Sequence, residues 1–133
     1  YFAILGEPER TDYWTRRVQK EAYRLGAFGF CGNEDVGQMS AWYVMSAMGF
    51  YEAEPASGRY WFGSPLFNEL NVNFADGTFR IIAENNSAEN KYIQRVWLNG
   101  KPYDKGWISH SDIKAGGELK FEMGSTPNKW YQE

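Results

Sequence analysis

The chain has 133 residues and a formal charge of −3, with 43% hydrophobic and 23% charged residues. This length is typical of one domain, and the composition is that of a globular protein, which excludes a long disordered or low-complexity chain. A slightly acidic chain gives no reason to expect a nucleic-acid partner. No apolar run approaches the roughly 20 residues that a membrane-spanning helix needs, so no membrane span is expected either.

The chain has one cysteine and one histidine, which limits the sites it can build. Cys31 has no partner for an internal disulfide, and with His110 alone it cannot form a zinc cluster. Any metal would therefore be a hard, oxygen-bound ion. We expect Cys31 to be a buried, inert thiol. His110 lies between predicted strands, where a hydrogen-bonded surface or packing residue is expected rather than a catalyst.

Two helices are predicted in the first 54 residues. From Thr11 to Leu25 apolar residues recur at every third or fourth position, with Thr11 as the cap and Gly26 as the stop signal. A second helical run begins at Asn33 with an N-cap residue and two acids, continues almost without charge, and ends at Gly49. Its apolar groups face nearly every side, which predicts a helix buried all round by neighbouring elements.

After Pro55 the pattern changes to the period of two that is typical of strands. The pairs Asp76–Gly77 and Asn99–Gly100 each predict a β-hairpin, and a last strand is predicted from Glu118 to Met123. The strand before Asn99 is expected to place Tyr92, Gln94, Val96 and Leu98 on one face and Ile93, Arg95 and Trp97 on the other. Five to seven antiparallel strands follow from this pattern.

The sequence therefore predicts an α+β fold with two parts. Residues 1–54 form a helical segment that looks like a fraction of a larger helical body, because two helices cannot cover an all-round apolar helix. Residues 55–133 form a C-terminal, antiparallel, β-sandwich-like region that packs on this segment.

Aromatic residues make up 18% of the chain, which is an unusually large share. Most of them are expected in the core. The aromatic residues of predicted loops have a second interpretation, because Trp and Tyr rings stack on the C–H faces of sugars while their polar edges bind hydroxyls. These loop residues are Phe28, Phe30, Tyr60 and Trp61.

The densest polar cluster is the segment 32–38, at a loop-to-helix junction, and it contains Asn33, Glu34, Asp35 and Gln38. The spacing favours a capping arrangement, with Asn33 as the N-cap and two acids at the positive end of the helix dipole. An ionised carboxylate beside a water could also serve as a general base. Local features leave both interpretations open, but three consecutive polar residues cannot fill a calcium site.

Five sequence blocks follow one another along nearly the whole chain: GNEDVGQMSAWYVMSAMGFY at 32–51, GSPLF at 63–67, NKYIQRVWLNGKPY at 90–103, WISHSDI at 107–113 and the spaced pattern GGEL-F-MG-TPN at 116–128. Together they resemble the C-terminal part of glycoside hydrolase family 92, the calcium-dependent, exo-acting α-mannosidases. The resemblance implies that the two helices end an (α/α)6-type catalytic barrel. It also implies mannose-containing glycans as substrates and a reaction that inverts the anomeric configuration.

The same resemblance assigns roles to the polar cluster. It implies that Asp35 is the general base, with Asn33, Glu34 and Gln38 as neighbours that shape the substrate site. Many relatives carry an aspartate where this chain has Asn33, so a second acidic helper is not expected at that position. The general acid and the calcium ligands of the family lie upstream of these blocks. We therefore expect them in a missing N-terminal part of the same enzyme, and we expect the isolated chain to be inactive.

Two other functions remain open at this point. The β region could be a non-catalytic carbohydrate-binding or accessory module, although such modules need no buried helix ahead of the strands. The chain could also cover an exposed helix face by self-association. The resemblance further implies a secreted or periplasmic bacterial protein.

Overall fold

The computed structural model describes residues 2–131, and within them three α-helices and eight β-strands alternate with turns. Two short 3-10 turns, Phe2–Leu5 and Asp35–Gly37, precede the first two helices. The helices are α1 (Pro8–Glu21), α2 (Gln38–Met48) and α3 (His110–Lys114). The strands are β1 (Phe50–Tyr51), β2 (Arg59–Phe62), β3 (Glu69–Phe74), β4 (Gly77–Glu84), β5 (Tyr92–Leu98), β6 (Lys101–Pro102), β7 (Trp107–Ser109) and β8 (Gly117–Gly124). Among the described residues, no helix is both long and apolar enough to cross a bilayer.

The predicted cap and stop of the first helix are wrong. Helix α1 begins at Pro8. The N–H group of the first helical residue has no acceptor within the helix, so proline, which lacks this group and already has a helical φ, is favoured at that position. The buried Thr11 lies inside the helix, and its Oγ1 accepts a hydrogen bond from the N–H of Ala3 at 2.7 Å. The helix ends at Glu21, four residues before Leu25, and the chain then turns back on itself through a bridge between Tyr23 and Phe30.

Helix α2 ends where the sequence predicts, but it is not buried all round. Gly49 closes it in the left-handed conformation, with φ of 103°. A Cβ at Gly49 would lie 3.1 Å from Phe121 and from Pro65, so glycine is required there for both conformation and space. Only Ser46 and Ala47 of the helix are buried, and Val44 is 56% exposed. The described residues thus cover one side of α2 and leave the other side open.

The β region consists of two sheets. The three-stranded sheet has the order β1-β2-β7 and the five-stranded sheet has the order β3-β4-β8-β5-β6. Both predicted hairpins form, although the first turns at residues 75–76, one position earlier than the Asp76–Gly77 pair. Asn99 and Gly100 turn with φ of 51° and 75°, as a two-residue hairpin loop requires. The predicted fold class is therefore confirmed as a helical segment followed by a sheet-rich region.

Two details of the β region differ from the expectation. Strands β4 and β8 pair in parallel, which the local pattern does not reveal because a long connection brings them together. In β5 the register shifts between Ile93 and Arg95. This irregularity places Ile93 and Val96 in the same core, whereas strict alternation assigns them to opposite faces.

The core lies between the two sheets and α3. Phe62 from the small sheet and Phe121 from the large sheet meet edge to face, with ring centroids 5.4 Å apart. Both side chains are almost completely buried, as are Phe79, Ile108 and Leu119. The aromatic residues therefore fall into two groups. Phe50, Phe62, Phe79 and Phe121 fill this core, while Trp14, Phe28, Phe30, Phe67 and Phe74 are exposed. Tyr60 and Trp61 lie in β2 rather than in a loop.

Asp12 fastens the helical segment to the large sheet. Its carboxyl group is buried, and its Oδ2 accepts a hydrogen bond from the N–H of Ile93 at 2.9 Å. The other oxygen has no hydrogen-bond donor within residues 2–131. Burial raises the pKa of Asp12 to about 8, against the lowering effects of the Ile93 hydrogen bond and the charge of Arg16, while the charge of Glu9 raises the pKa further.

The stability of the chain is therefore expected to depend on pH through Asp12. Between about pH 4 and pH 8 the folded chain holds a proton that the unfolded chain releases, so stability falls as pH rises through this window. The slope is up to about 1.4 kcal/mol per pH unit. Urea unfolding at several pH values measures it. Asp12→Asn, which mimics the protonated acid, should flatten the curve, whereas Asp104→Asn at an exposed position should leave it unchanged. A wild-type curve that rises from pH 5 to pH 8 would contradict this origin.

Candidate active site

The four predicted site residues lie together on one short segment at the entrance to α2. Asn33 and Glu34 end the loop that follows α1, Asp35 opens the 3-10 turn, and Gln38 is the first residue of α2. Asn33, Asp35 and Gln38 are exposed and Glu34 is half-buried. The segment therefore presents three polar side chains to solvent and turns one inward.

Capping is present at this junction, but Asn33 is not the capping residue. The N-cap position is occupied by Gly37, whose φ is 79° and which has no side chain to accept a hydrogen bond from the helix N–H groups. The cap comes instead from Glu34, whose Oε1 and Oε2 accept hydrogen bonds from the N–H of Ser40 at 3.0 and 3.1 Å. Ser40 is the third residue of α2, so Glu34 satisfies one of the N–H groups that have no partner within the helix.

The turn between Asp35 and α2 has a strained backbone. Val36 has φ of 55° and ψ of 23°, a left-handed conformation that is rare for a β-branched residue. Gly37 follows in the same region, so two consecutive residues are left-handed. The Val36 side chain is fully exposed and gains no packing in return. Such residues cost about 1–3 kcal/mol and persist only where the surroundings impose them, which occurs most often at functional sites.

Among the described residues, the Asp35 carboxylate has no protein partner and is available to bind water or substrate. Within residues 2–131 it makes no hydrogen bond or ion pair, whereas the adjacent Glu34 carboxylate is committed to Ser40. An exposed carboxylate without a partner can accept a proton from a water molecule or bind a substrate hydroxyl group. Of the two neighbouring acids, Asp35 is thus the one that suits a general base.

Tyr23 supports the first turn of α2 from the end of α1. Its hydroxyl group donates a hydrogen bond to the Met39 carbonyl oxygen at 3.0 Å, and its ring stacks on Trp42 with a centroid distance of 5.6 Å. Burial raises the pKa of the Tyr23 hydroxyl group, and the acidic groups of Cys31 and Glu34 add to this effect. The hydroxyl group therefore stays protonated and able to donate.

An apolar groove of about 330 Å³ lies beside the candidate site. Its lining includes Tyr23, Leu25, Phe30, Tyr43 and Val44. Leu25 is completely exposed and Phe30 is 42% exposed. We refer to these five residues as the helical apolar surface.

Two other predictions concern single residues. Cys31 is exposed, so the prediction of a buried thiol is wrong. It directly follows the bridge between Tyr23 and Phe30, in the loop after α1. His110 is exposed, and its Nδ1 lies 3.1 Å from the Tyr60 hydroxyl oxygen. The expectation of a hydrogen-bonded surface histidine is confirmed.

The residues at the site do not fit a calcium ion by themselves. Within residues 2–131 no group of three or more His, Cys, Asp and Glu side chains is placed to hold a metal. Calcium needs six to eight oxygen ligands, and both oxygens of Glu34 already bind the helix N–H. No catalytic step on this chain is therefore assigned to a metal.

Two residues of the site were missed by sequence reasoning. Ser40 and Tyr23 hold the segment through a backbone N–H and a phenol, and neither group gives a signal in a sequence pattern. The pairing of Glu34 with a residue six positions later depends on the left-handed turn at Val36 and Gly37. Acidic residues just before an apolar helix are the closest available signal, and they mark the segment that carries Glu34.

Comparison with known proteins identifies the class to which this fold and segment belong. The family model for the glycosyl hydrolase family 92 catalytic domain matches residues 1–125. A secreted glycosidase of Arthroderma benhamiae that has not been characterised is 32% identical over 106 residues, which is 77% of this chain. A family GH92 α-mannosidase structure from Bacteroides thetaiotaomicron is 35% identical over 96% of the chain, with a TM-score of 0.89. An inverting GH92 mannosidase from the same bacterium is 42% identical over 93% of the chain, with a TM-score of 0.86.

These relatives are glycoside hydrolases, and the fold of the chain is part of their catalytic architecture. The chain belongs to glycosyl hydrolase family 92. It spans 14% of the length of the fungal glycosidase and 17% of the length of each bacterial mannosidase.

Proposed function

We propose that the polypeptide that carries this chain is an exo-acting, inverting α-mannosidase, and that Asp35 is its general base. The substrates are the terminal α-mannosides of mannose-containing glycans. The similarity to GH92 mannosidases supports the reaction class. The single observation that carries the role of Asp35 is its exposed carboxylate, which is free of partners in residues 2–131 beside a committed Glu34.

In this proposal Asp35 removes a proton from the water that attacks the anomeric carbon. An inverting reaction needs a second carboxyl group roughly 6.5–9.5 Å away, on the other side of the scissile bond, to protonate the leaving oxygen. Glu34 is unsuited to that role because it is adjacent in sequence and both its oxygens bind the Ser40 N–H. The general acid is therefore supplied by another part of the polypeptide.

Asn33 and Gln38 are proposed to bind substrate hydroxyl groups. Both are exposed amides on either side of Asp35, and an amide offers a donor and an acceptor to a sugar. Neither can take the proton of the attacking water. Substitution at these positions is therefore expected to weaken substrate binding more than it slows the chemical step.

The calcium ion of the enzyme is proposed to be held by residues outside this chain, in the missing N-terminal part. The absence of a suitable cluster within the described residues supports this assignment. The 133-residue chain, which lacks the general acid and the metal ligands, is proposed to be inactive when isolated.

The helical apolar surface is proposed to dock against the rest of the same polypeptide. Within residues 2–131, eight of the ten exposed large hydrophobic residues lie in the first 54 positions. Patches of this kind mark interaction sites, and the relatives are about six times longer than this chain. In the isolated chain the same surface is expected to cause self-association.

We also propose that a domain boundary lies between residues 54 and 55. It separates the helical segment, residues 1–54, from the β region, residues 55–133.

The strand region shows little that favours a carbohydrate-binding module. Sugar-binding sheets present bare aromatic platforms. In the five-stranded sheet Trp97 is covered by the ammonium group of Lys120 at 4.9 Å, and in the three-stranded sheet Trp107 is flanked by Arg59 and Lys105. We also propose that the protein is exported, to the periplasm or the medium of a bacterium. The name of the fungal relative supports secretion.

The proposed function is tested by assaying two proteins, the full-length polypeptide and the isolated 133-residue chain. The full-length protein should release mannose from an α-mannoside, and proton NMR should detect β-mannose as the first product because the reaction inverts. A chelator should abolish the activity and added calcium should restore it. The isolated chain should release no mannose under any of these conditions.

A β-mannoside serves as the control substrate and should remain intact. Calcium-dependent release of mannose by the isolated chain would overturn the assignment of the acid and the metal ligands to other parts of the polypeptide. α-Mannose as the first product would overturn the inverting mechanism.

A further inference from the structure

We infer that Glu34 is a positioning residue that fixes the place of Asp35 through its hold on α2. The inference rests on the proposed role of Asp35 as the general base. In this role the Glu34 side chain is long enough to accept a hydrogen bond from the Ser40 N–H. Neither its charge nor a contact with substrate is required.

The first step is the geometry of the Glu34 side chain. It passes over the turn and places both carboxylate oxygens 3.0 and 3.1 Å from the N–H of Ser40. Because Glu34 and Ser40 lie on opposite sides of Asp35, this contact closes a ring of seven residues, 34–40, that contains the proposed base.

The second step is the backbone inside this ring. Val36 and Gly37 are both left-handed, with φ of 55° and 79°. Two backbone hydrogen bonds support the turn, from the N–H of Gln38 to the Asp35 carbonyl oxygen and from the N–H of Gly37 to the Glu34 carbonyl oxygen, and the second is long at 3.5 Å. The exposed Val36 side chain adds no packing. The left-handed backbone at Val36 and Gly37 is unfavourable, and the Glu34 side chain adds a contact that supports the turn.

The third step is the rigidity of the body to which Glu34 is tied. The first turn of α2 is held by the Tyr23 hydroxyl group, which donates to the Met39 carbonyl oxygen at 3.0 Å. Tyr23 also packs against Tyr43 with ring centroids 4.9 Å apart. Tyr23 thus holds Met39 and Tyr43 of α2, and the hydrogen bond from Ser40 to Glu34 ties the segment that carries Asp35 to this part of the helix. A displacement of about 1 Å at a catalytic group is enough to cost about 100-fold in rate.

The experiment measures kcat and KM of the full-length enzyme with an aryl α-mannoside for three variants of Glu34. Glu34→Ala removes the contact and should lower kcat about 30- to 100-fold with KM within about threefold of wild type. Glu34→Asp keeps the charge but is too short to reach Ser40, so it should lose kcat about as much as the alanine variant. Glu34→Gln keeps an acceptor oxygen of the right reach and should retain kcat within about fivefold of wild type.

Glu89→Ala, an exposed glutamate of the 87–90 turn, is the matched control and should behave like wild type. Circular dichroism and thermal melting establish that each variant is folded, and the Asp and Gln variants keep the comparison valid if the alanine variant melts. A Gln variant as impaired as the alanine variant, an Asp variant as active as wild type, or three variants within threefold of wild type would each overturn the inference. Asp35→Asn, assayed in parallel, separates the two proposals: full activity there overturns the base assignment itself.

Discussion

Asp35→Asn in the full-length enzyme is expected to lower kcat for an α-mannoside by about 100- to 10,000-fold, with KM changed by less than about threefold. Asparagine has the size and shape of aspartate, so the exposed side chain keeps its place in the turn before α2. It cannot take a proton from the attacking water, and the loss therefore falls on the chemical step. Initial rates over a range of substrate concentrations, with kcat and KM fitted separately, measure the effect.

Two comparisons make this result specific to Asp35. Asp104→Asn changes another exposed aspartate and should leave both constants unchanged. Gln38→Ala, at the first residue of α2, should raise KM more than it lowers kcat, because an amide contributes binding and no proton transfer. If Asp35→Asn keeps more than a tenth of wild-type kcat, the general base is another group.

The elements that the sequence predicts well are those set by local chemistry. The Asn99–Gly100 hairpin follows from two residues that accept positive φ, and the end of α2 follows from Gly49. The elements that differ are set by contacts distant in sequence. Strand β8 pairs in parallel with β4, and the buried face of β5 changes at the irregularity after Ile93.

The sequence could predict that the four candidate residues share one segment before α2, but not which of them makes hydrogen bonds to the helix. The polar run 33–38 marks the segment because acids before an apolar helix are a local pattern. The same pattern names Asn33 as the cap, whereas the structure gives the cap to Glu34. The reason is Val36: a valine carries no sequence signal for left-handed φ, and that conformation brings Glu34 within reach of Ser40. The roles of the site residues stay predictions until the variants are measured.

Phe121→Ala is expected to destabilise the chain by about 3–5 kcal/mol, the largest stability effect among the substitutions considered. Phe121 lies on the central strand β8 with no exposed surface, and its ring joins the two sheets through its edge-to-face contact with Phe62. The ring also packs against Gly49, at the end of the helix that follows the candidate site. Truncation therefore opens a cavity where the two sheets and α2 meet.

Urea unfolding followed by tryptophan fluorescence measures the loss in the free energy of unfolding. A loss of this size is a large part of the total, because a small domain has only about 5–15 kcal/mol of stability. Phe74→Ala, at the exposed end of β3, removes the same number of atoms from a 37% exposed site and should cost less than about 1 kcal/mol. Equal losses in the two variants would show that the sheets do not depend on the Phe62–Phe121 contact. A large loss at Phe121 alone, accompanied by increased proteolysis near residue 49, would show that the same contact also secures α2, the helix that follows Asp35.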